Sequence, residues 1–255
     1  MVSNSPSFLR LGLWVGSTAS SQPLPLLRGS VYYPNFGPGG WVAFQRADQV
    51  WKAKANGDSL RQLTYAPGPH YVPRWSPDGS RLVCQDPNSP VGNHLIMDKN
   101  GKTIRSIRLV DTQYALAWAP DGNSILVEYN PTGRDENLAT YNLTTGQLDV
   151  VAISPAAPDS YGFVNGAAWQ PDGKSIVWCG ELGLYRTDLV SRITVRLRSG
   201  CQVRRDENPA VSPDGRQLAV ERTDRHVSAD GYSMYTTTNI WTMDPDGRNE
   251  RRVTF

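Results

Sequence analysis

Carboxylates recur at fixed places in this chain. Asp78, Asp121, Asp172, Asp214 and Asp246 each sit in an x-Pro-Asp-Gly phrase, while Glu128 and Glu221 follow a phrase proline by eight residues, with Glu181 close to the same place. Such groups could hold a hard cation, form the acid pair of a glycosidase, or orient the base of a serine nucleophile. For the aspartates a simpler role is at hand. Proline presets φ in a tight turn, glycine accepts the left-handed conformation, and a short carboxylate between them bonds neighbouring backbone amides. Structural turns are therefore expected at Pro77, Asp78 and Gly79; at Pro120, Asp121 and Gly122; at Pro171, Asp172 and Gly173; and at Pro213, Asp214 and Gly215. The glutamates fall late in the strand after each turn and read as edge charges; catalysis would need two of them facing each other.

The other chemistries are weakly supplied. Asp244-Pro245-Asp246-Gly247-Arg248-Asn249-Glu250 has a calcium-loop look, but Pro245 and Arg248 fit such a loop badly, so a hairpin turn is expected. No G-x-S-x-G elbow occurs; Gly231-Tyr232-Ser233-Met234-Tyr235 lacks its second glycine, and His70, His94 and His226 stand on different repeats. No catalytic residue, metal site or cofactor is expected.

Recognition is better served. The loops leading into the first strand of each repeat carry Pro69-His70-Tyr71, Asp111-Thr112-Gln113-Tyr114, a run over residues 159–165, and Arg204-Arg205-Asp206-Glu207-Asn208. Aromatic and arginine side chains are rich in interface hot spots, so His70, Tyr71, Tyr114, Tyr161, Asn165, Arg205 and Glu207 are the candidate binding residues for a protein or peptide partner. Tyr71 and Tyr114 could instead cap the core beneath the loops. Two longer loops are expected on this face: residues 223–238, with Arg225, His226, Asp230, Tyr232 and Tyr235, and residues 130–137, with Arg134, Asp135 and Glu136. The alternative is a carbohydrate-binding or glycoside-cleaving propeller that uses channel carboxylates and tyrosines.

The elements that position these residues follow from the repeat. The phrase prolines Pro77, Pro120, Pro171 and Pro213 are 43, 51 and 42 residues apart, the period of a propeller blade. Each phrase opens on an aromatic or apolar residue (Trp75, Trp118, Trp169, Val211) and is followed by an alternating strand. Four strands per unit are predicted; in the second unit they are the residues before Trp75, then 81–85, 94–98 and 104–109. A degenerate first unit uses 31–33, 41–45, 49–54 and 60–65, with Phe36-Gly37-Pro38-Gly39-Gly40 in place of the phrase. The fold class read from this is an all-β propeller of four-stranded antiparallel blades over residues 29–255, with five blades visible.

Arg74-Trp75-Ser76-Pro77-Asp78-Gly79-Ser80-Arg81-Leu82-Val83, preceded by Arg61-Gln62-Leu63-Thr64, resembles the WD40-like β-propeller repeat of TolB-like proteins. So does Ile240-Trp241-Thr242-Met243-Asp244-Pro245-Asp246-Gly247. The resemblance implies periplasmic or secreted protein-binding propellers, or the propeller domains that accompany prolyl-oligopeptidase-like hydrolases. Departures are Gly39 for the aspartate of the first blade and Val211 for the tryptophan of the fifth.

Composition limits the partners. A net charge of +2, with arginines scattered along the chain, leaves no footprint for nucleic acid, and no apolar stretch reaches a membrane span. Cys84, Cys179 and Cys201 form no C-x-x-C pair; one bridge, Cys179 to Cys201, stays open. Residues 1–28 have three readings: a leader with a short apolar core at 11–15, a loose tail, or two strands (9–15 and 23–27) making part of a sixth blade.

Overall fold

The computed structural model describes residues 12–17, 20–133, 136–153, 162–200, 204–227 and 234–254. The chain divides into two compact units, residues 1–109 and 110–255.

In the first unit, β1 (Gly12–Ser17) and β2 (Ser20–Arg28) form an antiparallel hairpin. Blade 1 follows as β3 (Tyr32–Gly37), β4 (Trp41–Arg46), β5 (Gln49–Lys54) and β6 (Arg61–Gln62). Blade 2 is β7 (Tyr71–Trp75), β8 (Arg81–Gln85), β9 (His94–Asp98) and β10 (Thr103–Ile107). Leu13 of the hairpin packs with Val42, Phe44 and Ala53 of blade 1, and Ala43, Leu63, Trp75, Leu82 and Met97 join blade 1 to blade 2. Leu9 and Leu11, part of the expected strand alternation, lie outside the described residues.

The second unit holds three blades. Blade 3 is β11 (Thr112–Trp118), β12 (Ser124–Tyr129), β13 (Asn137–Asn142) and β14 (Leu148–Ile153). Blade 4 is β15 (Val164–Trp169), β16 (Ser175–Gly180), β17 (Gly183–Asp188) and β18 (Thr194–Ser199). Blade 5 is β19 (Arg204–Val211), β20 (Leu218–Val227), β21 (Met234–Met243) and β22 (Arg251–Arg252). All five sheets are antiparallel in chain order, so five four-stranded blades of a β-propeller are present, as the repeat requires. Continuous apolar runs at the strand centres (42–44, 82–84, 125–127 and 176–179), all without exposure, give these blades two apolar faces. Trp178, stacked on Tyr185 at 4.5 Å, fills one interior with Leu126, Leu138 and Ile176.

The turn chemistry is as the phrase dictates. Asp78 accepts hydrogen bonds from Ser76 Oγ (2.6 Å), Ser80 N (3.1 Å) and Ser80 Oγ (2.6 Å), which hold its carboxyl down at about 2. Asp121 and Asp172 accept from the amides of Asn123 and Lys174 (both 2.9 Å), and Asp214 from Ser212 Oγ and Arg216 N. Asp246 likewise accepts from Arg248 N (3.0 Å), while Asp244 receives Asn249 Nδ2 (2.6 Å): a hairpin turn.

One expectation needs correction. The 223–238 loop is largely a paired ribbon, with β20 and β21 in register from Leu218↔Met243 to Val227↔Met234; its β-branched Thr236-Thr237-Thr238 run favours a strand over a loop. Only its tip, 228–233 with Asp230 and Tyr232, lies outside the described residues, as do Arg134 and Asp135. Cys84 and Cys179 are buried, free thiols, and Cys201, the other end of the bridge left open, lies outside the described residues.

Candidate functional site

The residues singled out for recognition are carried by strands more than by loops. In blades 1 to 4 the first strand reaches back to pair at or next to the end of the second, Tyr32↔Gln45, Tyr71↔Gln85, Thr112↔Tyr129 and Val164↔Gly180, and in blade 5 the pairing runs from Arg204↔Asp224 to Glu207↔Glu221. Between that pair and the phrase the register shifts, so every first strand is bulged. A bulge bends the strand and re-aims its side chains, and is common beside functional sites.

Four of these bulges share a conformation. Tyr33, Val72, Gly166 and Asn208 stand three residues before Phe36, Trp75, Trp169 and Val211, and have φ of 51°, 50°, 89° and 50°. Left-handed backbone suits glycine and asparagine, but costs a β-branched residue about 1 to 3 kcal/mol. At Gly166 a Cβ would stand 3.0 Å from Asn208 Cα, so the first strands of blades 4 and 5 meet there backbone to backbone.

Around that meeting point a set of candidates comes together. The Arg205 guanidinium lies 4.7 Å from the centroid of the Phe163 ring and 3.6 Å from Glu207. Asn208 Nδ2 donates to Glu221 (3.1 Å). Burial raises the Glu207 carboxyl, with Glu221 adding to the rise and Arg205 opposing it. Arg205 remains 46% exposed. The β20–β21 ribbon leaves the same end of blade 5, and His226 stacks on Tyr235 at 5.0 Å with Val227 and Met234 exposed beside them.

The remaining candidates are placed differently. Tyr114 is half-buried against the core cluster of Leu116, Leu126 and Trp178, the packing of a core cap. Tyr161 lies outside the described residues. Asn165 is on β15, and its Nδ2 is buried without a partner among the described residues. In the first unit His70 is buried, its amide donating to Asp48 O (2.9 Å), its Nε2 3.7 Å from Asp86 and its Nδ1 without a partner; Tyr71 is half-buried beside it. His94, also buried, is pushed down to about 4 by burial. Among the described residues, Gln45, Gln49, His70, His94, Asn130 and Asn165 carry buried polar atoms without a partner near the ends of the blades where the first strand begins, while the indole nitrogens of Trp75, Trp169 and Trp241 do so towards the phrase end. Unmet buried groups cost about 1 to 3 kcal/mol each and call for a reason to be kept.

Sequence reasoning missed a carboxyl pair. Glu128 is 4% exposed and hydrogen-bonded to Glu136, which in turn accepts the amide of Val164 (2.8 Å). Burial, then the Glu136 charge, push the Glu128 carboxyl up to about 8. Two carboxyls sharing a proton are closer than the roughly 5 Å or more that separates a glycosidase pair. Glu128 is the last residue but one of β12 and Glu136 immediately precedes β13. Among the described residues no three histidines, cysteines or acids gather as a metal site, and no helix is long and apolar enough to cross a membrane.

No family model matches this chain. It is 31% identical over 158 residues to the uncharacterized peptidase YuxL of Bacillus subtilis, a match covering 57% of the chain and 20% of that protein, and so spans only a fifth of that relative. It is 25% identical over 240 residues to the uncharacterized protein Atu1656 of Agrobacterium fabrum, covering 86% of the chain and 68% of that protein. Among solved structures it is similar to one assigned to TolB from Agrobacterium tumefaciens (TM-score 0.72, 15% identity, 91% of this chain and 84% of that one). TolB from Acinetobacter baumannii gives a TM-score of 0.64 at 18% identity, over 93% of this chain and 61% of that one. A chain of the nidogen/laminin complex gives 0.61 at 12%, over 86% and 78%. The five blades and these likenesses give the chain a TolB-like β-propeller fold.

Proposed function

We propose that the chain is a non-enzymatic recognition module that binds a protein or peptide at the bulged starts of its first strands. In the second unit the face is formed by Phe163, Arg205, Glu207, Asn208 and the β20–β21 ribbon. The carrying observation is the recurrent left-handed bulge, kept at a conformational cost even at the buried, β-branched Val72, and present in the strand that carries Arg205, Glu207 and Asn208. An exposed guanidinium over an aromatic ring, flanked by a carboxylate, has the composition of a hot spot. That a structural neighbour is a nidogen/laminin complex is in keeping with this use of the fold. Selection of displayed peptides on the immobilised protein, run beside a glycan array, tests the reading. Arg205→Ala and Glu207→Ala are expected to weaken the selected peptides about tenfold or more at unchanged melting temperature. Saturable glycan binding with no peptide selected would favour the carbohydrate alternative.

The Bacillus relative favours a second reading, in which the propeller accompanies a hydrolytic domain and admits short peptides to it. Peptide binding that weakens steeply with peptide length, and excludes folded proteins, is the outcome expected there.

A further inference from the structure

The far ends of the blades, where the Pro-Asp-Gly turns lie, hold a second feature. Between blades 1 and 2 the space under the turns is filled by Trp41 and Lys52. Lys52 Nζ lies 4.4 Å from the Trp41 ring and 6.0 Å from the Trp75 ring, and donates to the Lys99 carbonyl (2.5 Å). Register identifies the same places in blade 3. Trp41 pairs with Lys54 as Ser124 pairs with Asn142, and Lys52 pairs with Ala43 as Thr140 pairs with Leu126. Trp and Lys are thus replaced by Ser124 and Thr140, and a cavity of about 450 Å³ opens, with Ala119, Trp169 and Leu189 among its walls.

The charge around that space changes with its filling. Gly39 of blade 1 corresponds to Asp121, and Arg61, the partner of Lys52, to Asp149, the partner of Thr140. Asp172 of the next blade also lines the cavity. Arg192 pairs with Asp149 at 2.5 Å, so of the three carboxylates in the lining Asp121 and Asp172 remain beyond that pair. The place that holds a lysine ammonium in blade 1 is empty and acidic in blade 3.

We propose that this cavity binds a primary alkylammonium group, offered by a lysine side chain of a peptide or by a free diamine. The ammonium sits against the Trp169 ring near the Leu189 carbonyl, the counterparts of Trp75 and Lys99, with Asp121 and Asp172 nearby, and the alkyl chain runs along Ala119 and Val151. The site lies at the opposite end of β11 and β15 from the bulges and does not depend on the recognition face described above.

Titration calorimetry on the full chain tests it, with n-butylamine, cadaverine and Nα-acetyl-lysine methylamide set against n-butanol and Nα-acetyl-norleucine methylamide. The amines are expected to bind saturably, about tenfold tighter than their uncharged counterparts. A tighter lysine derivative assigns the site to peptides, and a tighter cadaverine assigns it to free amines. Thr140→Lys places an ammonium where Lys52 has one and should abolish amine binding while raising the melting temperature. Asp121→Asn with Asp172→Asn keeps acceptors for the turn amides, so the fold persists, and should weaken the amines several-fold. The proposal is overturned if no amine binds saturably, if the uncharged compounds bind as well, or if the Asn pair leaves amine affinity unchanged.

Discussion

At the scale of the residue, the turn phrase and the carboxyl pair make opposite demands. Gly122 has φ of 68°, whereas Asp121 contributes one side-chain bond, to Asn123 N. Replacing Gly122 by Val should therefore cost about 1 to 3 kcal/mol, more than Asp121→Ala. Equal melting temperatures for the two variants would show that the turn tolerates the strain. Glu128 gives a pH signature. Folding raises its carboxyl from 4.5 to about 8, so the folded state binds this proton more tightly than the unfolded chain does. The stability it contributes is complete below about pH 4.5 and is lost as pH rises through 8. Glu128→Gln keeps a neutral hydrogen-bonding group, and its melting temperature should fall less than that of the wild type between pH 5 and about 9. Parallel pH profiles would remove Glu128 as the cause. The turns were legible because their chemistry is local, spelled out in four adjacent residues. The carboxyl pair was not, because it depends on the path of 130–136 and on burial that no spacing displays.

At the scale of the element, blade 5 is tied to blade 4 by charge. Arg222 on β20 is fully buried, donating to Asp206 through Nε (2.6 Å) and a second nitrogen (3.2 Å), and to Glu250 (2.7 Å), with its guanidinium 4.4 Å from the Trp241 ring. Arg198 of β18 reaches the same two acids. Removing Arg222 strands Asp206 in the interior, and Arg222→Ala should cost about 3 to 5 kcal/mol. Arg204→Ala breaks a half-exposed pair with Asp224 and should cost less than about 1 kcal/mol. Chemical denaturation of both variants checks the contrast; similar losses would mean that the buried network contributes no more than a surface pair. Strand positions inside the blades followed from alternation, and residues 81–85, 94–98 and 49–54 match β8, β9 and β5. The strand starts did not, since a bulge inserts a residue and breaks the period of two that the reading relied on. That is why the recognition residues read as loops. The cavity under blade 3 was hidden for another reason: it arises from small residues, Ser124 and Thr140, which carry meaning only when set in register with Trp41 and Lys52.

At the scale of the whole molecule, the first residues decide how one face of blade 1 meets water. Val42, Phe44 and Ala53 have no exposure, and the side chains against them include Leu13, Leu26 and Leu27 of the β1–β2 hairpin. A two-stranded sheet is marginal alone, so the hairpin is held by this packing rather than by its own pairing. Deleting residues 1–28 leaves the blade 1 face without that cover, at a cost of about 1.5 to 3 kcal/mol for each large side chain returned to water. An uncovered apolar sheet face also invites a second molecule to cover it. The truncated chain should melt earlier than the full chain by calorimetry, and light scattering should find dimers or larger species where the full chain has fewer. Adding a peptide of residues 9–28 in trans should reverse part of the loss, because the hairpin's contribution lies in the face it covers. A truncated chain that stays monomeric and equally stable would make residues 12–28 a dispensable tail, and Phe44 would then have to be buried by other parts of the first unit.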